Sequence, residues 1–160
     1  GKPTTLGMCS GVVAGLVAIT PAATFVGTMS AIVFGLAAGV LCFFAIQIKE
    51  KFGYDDSLDV VGIHMVGGII GGLLIGVFAS NDAFGGADAF ELEASGTLLW
   101  NQFISIVAVL SYSFVVTFVI AKVLDLTIGL RVSEEAEQQG LDTSEHAETA
   151  YLQGGSFERS

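Results

Sequence analysis

DVVGIHMVGGIIGGLLIGVFA, Asp59 to Ala79, decides the fold. Within it only Asp59, at its first position, and His64 can carry a charge, and its length is that of a helix about 30 Å long, the thickness of bilayer hydrocarbon. A titratable ring inside a membrane is costly to place and marks function more often than filling. On a helical wheel Val60, Gly67, Gly68 and Gly71 fall within about 60° of His64, whereas Val66, Ile69, Leu73 and Val77 cover the opposite side. His64 is therefore expected to face protein and not lipid. Desolvation disfavours imidazolium, so a ring held there is mainly neutral and offers one N–H donor and one acceptor. That chemistry suits a proton relay or recognition of a small neutral amine. The competing structural reading is a histidine hydrogen-bonded to an adjacent helix. Haem ligation, a rival of another class, calls for a second axial ligand, and neither cysteine lies in a haem-attachment motif.

The flanking sequence extends the membrane reading. Of 160 residues 52% are apolar and 14% charged, and the mean hydropathy is +0.74, far from soluble averages. Pro3 to Ile48 carries no charge, enough for two spans separated at Thr20-Pro21-Ala22-Ala23-Thr24. The expected helices cover about residues 5–20, 26–48, 59–79 and 97–124, giving a transmembrane region 1–128 and a polar tail 129–160. Lys2, Lys49, Lys51, Lys122, Arg131 and Arg159 all fall on one side of a four-helix path, which should be cytoplasmic. The loop from Ser80 to Gly96 carries Asp82, Asp88, Glu91 and Glu93 and belongs outside, with Trp100 near that boundary and Tyr54 near the inner one.

Small residues pattern the first three helices: Gly7, Gly11 and Gly15; Gly27, Ala31, Gly35 and Gly39; Gly68, Gly72 and Gly76. Such stripes let backbones approach where no water drives association, so these helices are expected inside a tight bundle and the glycine-poor fourth on its periphery. The stripes are read as packing surfaces without direct ligand contact. Cys9 and Cys42 are expected to pack as small apolar groups rather than join in a disulfide. Asp55, Asp56, Ser57 and Asp59 gather at the start of the third helix, where capping and the helix dipole account for them. Asp56 and Asp59 are thus structural supports. In the tail, SEEAEQQG reads as a short helix capped by Ser133 and ended by Gly140, DTSE (Asp142 to Glu145) reads as a second cap, and His146 is expected to be exposed. No signal peptide is visible and the sequence opens on Gly1, so a fragment or trimmed chain is expected.

Three segments in order, GKPTTLGMCSGVVAGLVAITPA (Gly1 to Ala22), DVVGIHMVGGIIGGLLIGVFA (Asp59 to Ala79) and GLRVSEEAEQQGLDTSEHAETAY (Gly129 to Tyr151), resemble the C-terminal part of the ammonium transporter (Amt/Mep/Rh) family. The resemblance implies an all-α membrane protein: about four transmembrane helices of an ammonium-transporter fold, built in the family around an inverted repeat, plus a cytoplasmic tail. It implies transport of ammonium or ammonia and no enzymatic activity, cofactor, metal or nucleic-acid partner. His64 is similar to the second of the family's twin pore histidines, Val60 to a lane-lining position, and Thr20 to a polar residue near the external end of its helix. Asp56 matches an acidic residue that the family keeps eight positions before the histidine. The tail resemblance implies regulation through Gly140, Ser144 and Tyr151: contact with a neighbouring subunit of a homotrimer, engagement of a PII-type signal protein, and a phosphorylatable residue at Ser144.

Two departures qualify this. Many members have glycine directly after the pore histidine, whereas here Met65 stands about 100° round from the ring. The outer cation site, phenylalanine gate and first pore histidine belong to helices that precede this segment in the family. These 160 residues are therefore expected not to conduct alone, and a non-conducting regulatory or trimerisation fragment is the alternative reading.

Overall fold

A computed structural model describes residues 3–81, 83 and 92–149. Among them every regular element is helical: α1 (Thr5–Ile19), α2 (Thr28–Phe52), α3 (Val61–Phe78), α4 (Gly96–Thr127), α5 (Glu134–Gln139) and α6 (Leu141–Ser144). They form two compact units, 1–111 and 112–160, the division falling within α4.

In the first unit α1, α2 and α3 pack on one another around small side chains. One cluster is Ala14, Ala18, Ala38, Cys42 and Ile63; the other is Ala22, Val26, Phe34, Ile75 and Ala79. Phe34 is the largest fully buried side chain and meets Phe78 edge to face at 6.0 Å. Glycines make this closeness possible. A Cβ at Gly71 would collide with the Ala18 backbone, one at Gly76 would collide with the Leu99 backbone of α4, and one at Gly62 would stand 2.8 Å from Ile46. Without water to drive apolar association, such close backbone approach gives the helices their dispersion contacts. α4 buries none of its residues, although Leu99 and Ile106 press on α3.

The helices begin and end for local reasons. Thr4 caps α1 by accepting the Gly7 N–H at 3.0 Å, and Thr20 closes it by donating to the Leu16 carbonyl at 2.6 Å, just before Pro21. α2 runs past Ile48 to Phe52, because Lys49 and Lys51 suit a helix C-terminus and Gly53, at φ 67°, supplies the left-handed residue that stops it. Among the described residues three helices, α2, α3 and α4, are long and apolar enough to cross a membrane, and α1 is a shorter apolar helix. α1 has 15 residues, a length of about 22 Å against about 30 Å of hydrocarbon.

The first turn of α3 departs from the α-helix that periodicity predicts. Val61–Met65 is a π-helix, with the Val66 N–H reaching back to the Val61 carbonyl, and α-helical geometry resumes over Val66–Phe78. The cysteines follow the sequence reading in part. Both are free, but only Cys42 is buried; Cys9 is exposed.

In the second unit Ser133 caps α5, its Oγ accepting the Ala136 N–H at 3.2 Å, and Gly140 ends it at φ 99°. α6 then starts at Leu141, so Asp142 lies in its first turn and does not cap it, a correction to the DTSE reading. Gly140, at the N-terminal boundary of α6, turns the chain directly from one short helix into the next. His146 is exposed.

Candidate functional site

His64 stands in the π-helical turn of α3, on the wall of an open cleft of about 350 Å³ in the first unit. The α3 wall is His64, Met65, Gly68, Ile69 and Gly72; the facing wall is Gln102, Ser105, Ile106, Val109 and Leu110 of α4, with Pro21 contributing from the α1–α2 connection. A Cβ at Gly68 would meet nothing within 4 Å, so the missing side chain there is open space. The imidazole is exposed to the cleft and has no hydrogen-bond partner among the described residues. A π turn inside an α-helix is uncommon and recurs at functional sites.

The glycines beside His64 divide between two tasks. Gly68 and Gly72 line the cleft, whereas Gly67 and Gly71 are turned against α1, where Val17 lies 3.2 Å from a Cβ built on Gly67. Ile69, placed opposite His64 by the wheel, lines the same cleft. The cleft face is thus centred a quarter-turn from the histidine, and His64 sits at the edge between open space and helix contact.

Of the other residues singled out by sequence, Met65 shares the cleft with His64, and Val60 and Thr20 do not line it. Val60 is 48% exposed one turn before the ring, and Thr20 is spent on its bond to Leu16. Asp56 accepts the Val60 N–H at 2.8 Å through one carboxylate oxygen and the Val61 N–H at 2.9 Å through the other. These are donors that a helix start leaves without intrahelical partners. Asp59 pairs with Lys49, which also donates to the Asp56 carbonyl at 2.9 Å. In the tail, Ser144 donates to the Gly140 carbonyl at 2.9 Å. Glu137 accepts two bonds from the Arg131 guanidinium, at 2.8 and 3.0 Å, which hold its carboxyl below its ordinary value. Tyr151 and the loop acids Asp82, Asp88 and Glu91 lie outside the described residues.

Gln102 and Ser105 were not anticipated. They are three residues apart on α4, a spacing that puts both on one helix face and was visible in the sequence.

The family model described as Ammonium Transporter Family matches residues 1–151. An ammonium transporter of Bacillus subtilis is 46% identical over 152 residues, covering 94% of this chain and 37% of the relative. An ammonium transporter of Mycobacterium tuberculosis is 45% identical over 157 residues, covering 94% of this chain and 33% of the relative. Among solved structures, Mep2 of Saccharomyces cerevisiae superposes with a TM-score of 0.75 at 36% identity over 84% of this chain and 31% of its own. A protein described as Sensor Amt Protein gives 0.77 at 29% identity over 90% of this chain and 35% of its own. The chain therefore spans about a third of the length of the relatives it matches. With that match and its long apolar helices, it is an integral membrane protein that belongs to the Ammonium Transporter Family.

Proposed function

We propose that these residues are the C-terminal part of a channel-like transporter that moves ammonium or ammonia across the membrane, with His64 as a pore histidine. One observation carries this reading: an imidazole without a described hydrogen-bond partner stands beside open glycine space in an apolar cleft. A neutral imidazole presents one donor and one acceptor, which complement the lone pair and N–H groups of ammonia. An apolar passage disfavours the ammonium ion, whose charge loses its hydration there, far more than it disfavours neutral ammonia. The ion is thus deprotonated before the narrow part of the path, and the proton moves by another route or by relay through histidine. Val60 and Thr20 belong to the approaches of this lane rather than to the cleft about His64. Asp56 and Asp59 hold the turn that carries the ring.

In the same proposal the basic residues and the tail lie on the cytoplasmic side, and the complete protein is a homotrimer. In the full-length protein, His64→Ala is expected to alter ammonium flux into proteoliposomes or its selectivity over potassium. Unchanged flux and selectivity count against the pore role.

The tail supports a second reading, a regulatory surface for a PII-type signal protein. The observation favouring it is a short, capped, exposed helix with Glu134, Glu135 and Glu137 in its first turn, joined at Gly140 to a turn that includes Ser144. Pull-down by a PII-type protein, with and without residues 129–160, separates docking from transport: binding lost on truncation supports it, and equal binding removes the tail from the contact.

A further inference from the structure

One face of α2 cradles the π turn at three successive levels. Cys42, Ile46 and Lys49 are spaced four and three residues apart, so they share that face. The Cys42 thiol donates to the Ile63 carbonyl at 3.8 Å, within the turn itself. Ile46 fills the space that a side chain at Gly62 would need, 2.8 Å from the Cβ position. Lys49 pairs with the Asp59 carboxylate and donates to the Asp56 carbonyl at 2.9 Å. Asp56 in turn spends both carboxylate oxygens on the N–H groups of Val60 and Val61, the residues that open the turn.

Asp59 sits at a strained point of the reversal. Its φ is 56°, in the left-handed region, where an aspartate sits at a cost that glycine avoids. The Lys49 ammonium engages the side chain of this residue and the carbonyl three positions before it. Two points of the reversal are thereby fixed to the end of α2 immediately before the helix widens. Because the π turn carries His64, a change in how that reversal is held alters the direction of the imidazole relative to Gly68.

We infer that Lys49 is a positioning residue for His64, acting through Asp59 and the Asp56 carbonyl on the π turn. The inference rests on the pore role proposed for His64. Lys49 does not line the cleft about His64.

The experiment uses full-length protein in proteoliposomes, with flux normalised to the amount inserted, and compares Lys49→Met, Lys49→Arg and His64→Ala. Displacing the ring by a fraction of an ångström is expected to lower flux per molecule in Lys49→Met about tenfold and to change selectivity over potassium. Lys49→Arg, which keeps a cation and several donors, is expected to recover both. Parental flux and selectivity in Lys49→Met, with His64→Ala impaired, overturn the positioning role and leave the pore reading standing. If His64→Ala is also parental, the pore reading falls and the inference with it. Should Lys49→Met fail to insert, Asp59→Asn replaces it at nearly constant shape: the same loss supports the inference, and parental behaviour overturns it.

Discussion

Gly68 and Gly71 are three residues apart on α3 and differ in what surrounds them. A Cβ at Gly68 meets nothing within 4 Å, whereas at Gly71 it would collide with the Ala18 backbone. Gly68→Ala is therefore expected to leave thermal stability in detergent unchanged or raised by up to about 1 kcal/mol, since alanine loses less backbone entropy in a helix. Gly71→Ala is expected to cost about 1–3 kcal/mol, because α1 must retreat to admit a methyl group. Equal unfolding temperatures for the two variants would contradict the division of the glycines. A second variant tests the cleft: Gly68→Phe should leave insertion intact and reduce ammonium flux, because its ring enters the space beside His64. The wheel found the glycines near His64 but not their separate tasks. Gly68 and Gly72 lie about 40° and 80° to one side of the ring, Gly71 and Gly67 about 20° and 60° to the other, and a lone helix does not reveal which flank is covered. That depends on Ala18 and Val17 of α1, contacts made only by the assembled fold.

Among the elements, those governed by local chemistry were the most legible. Ser133 and Gly140 begin and end α5 through a short-range bond and a permissive backbone angle, as the sequence led us to expect, whereas Gly53, which stops α2 four residues beyond the expected Ile48 end, was not read. The π turn was not legible, and the contacts that flank it, Ile46 against Gly62 and Lys49 on Asp59, come from another helix that a local reading does not supply. The DTSE cap failed for a nearer reason: Gly140 already turns the chain, leaving Asp142 inside the helix that follows. α5 gives an element-scale prediction. The Arg131 guanidinium holds Glu137 below its ordinary carboxyl value of 4.5, so the folded tail binds that proton less readily than the unfolded tail. The pair's contribution is complete above pH 4.5 and is lost as pH falls through the lower folded value. Both partners are substantially exposed, so the effect is local fraying and not loss of the bundle. Amide exchange at Glu137 and Gln138 should quicken on acidification relative to the intrinsic rate, and Glu137→Gln should show the faster behaviour already at neutral pH. A Glu137→Gln variant indistinguishable from the parent across this range would leave the pair without a role in holding α5.

For the molecule as a whole, the cleft beside His64 is open in a chain that spans about a third of its relatives' length, and the proposed pore reading makes that openness decisive. α1 and α2 bury one face against α3 and expose large apolar side chains on others, among them Leu16, Leu36, Phe43 and Phe44. An open cleft cannot impose the two-sided confinement that separates ammonia from water and potassium, and one imidazole cannot share a proton with a second. The 160-residue chain reconstituted alone is therefore expected to give vesicles no ammonium flux above that of protein-free lipid. Adding the remaining part of the transporter as a separate chain should restore flux, since helices already inserted can associate through packing and polar contacts in the bilayer. The same pair carrying His64→Ala is the control that links restored flux to the ring. Stopped-flow measurement with a pH-sensitive dye inside the vesicles reads all three preparations. Saturable flux through the short chain alone would mean that it closes a path by self-association, and the requirement for a complementary half would then be wrong.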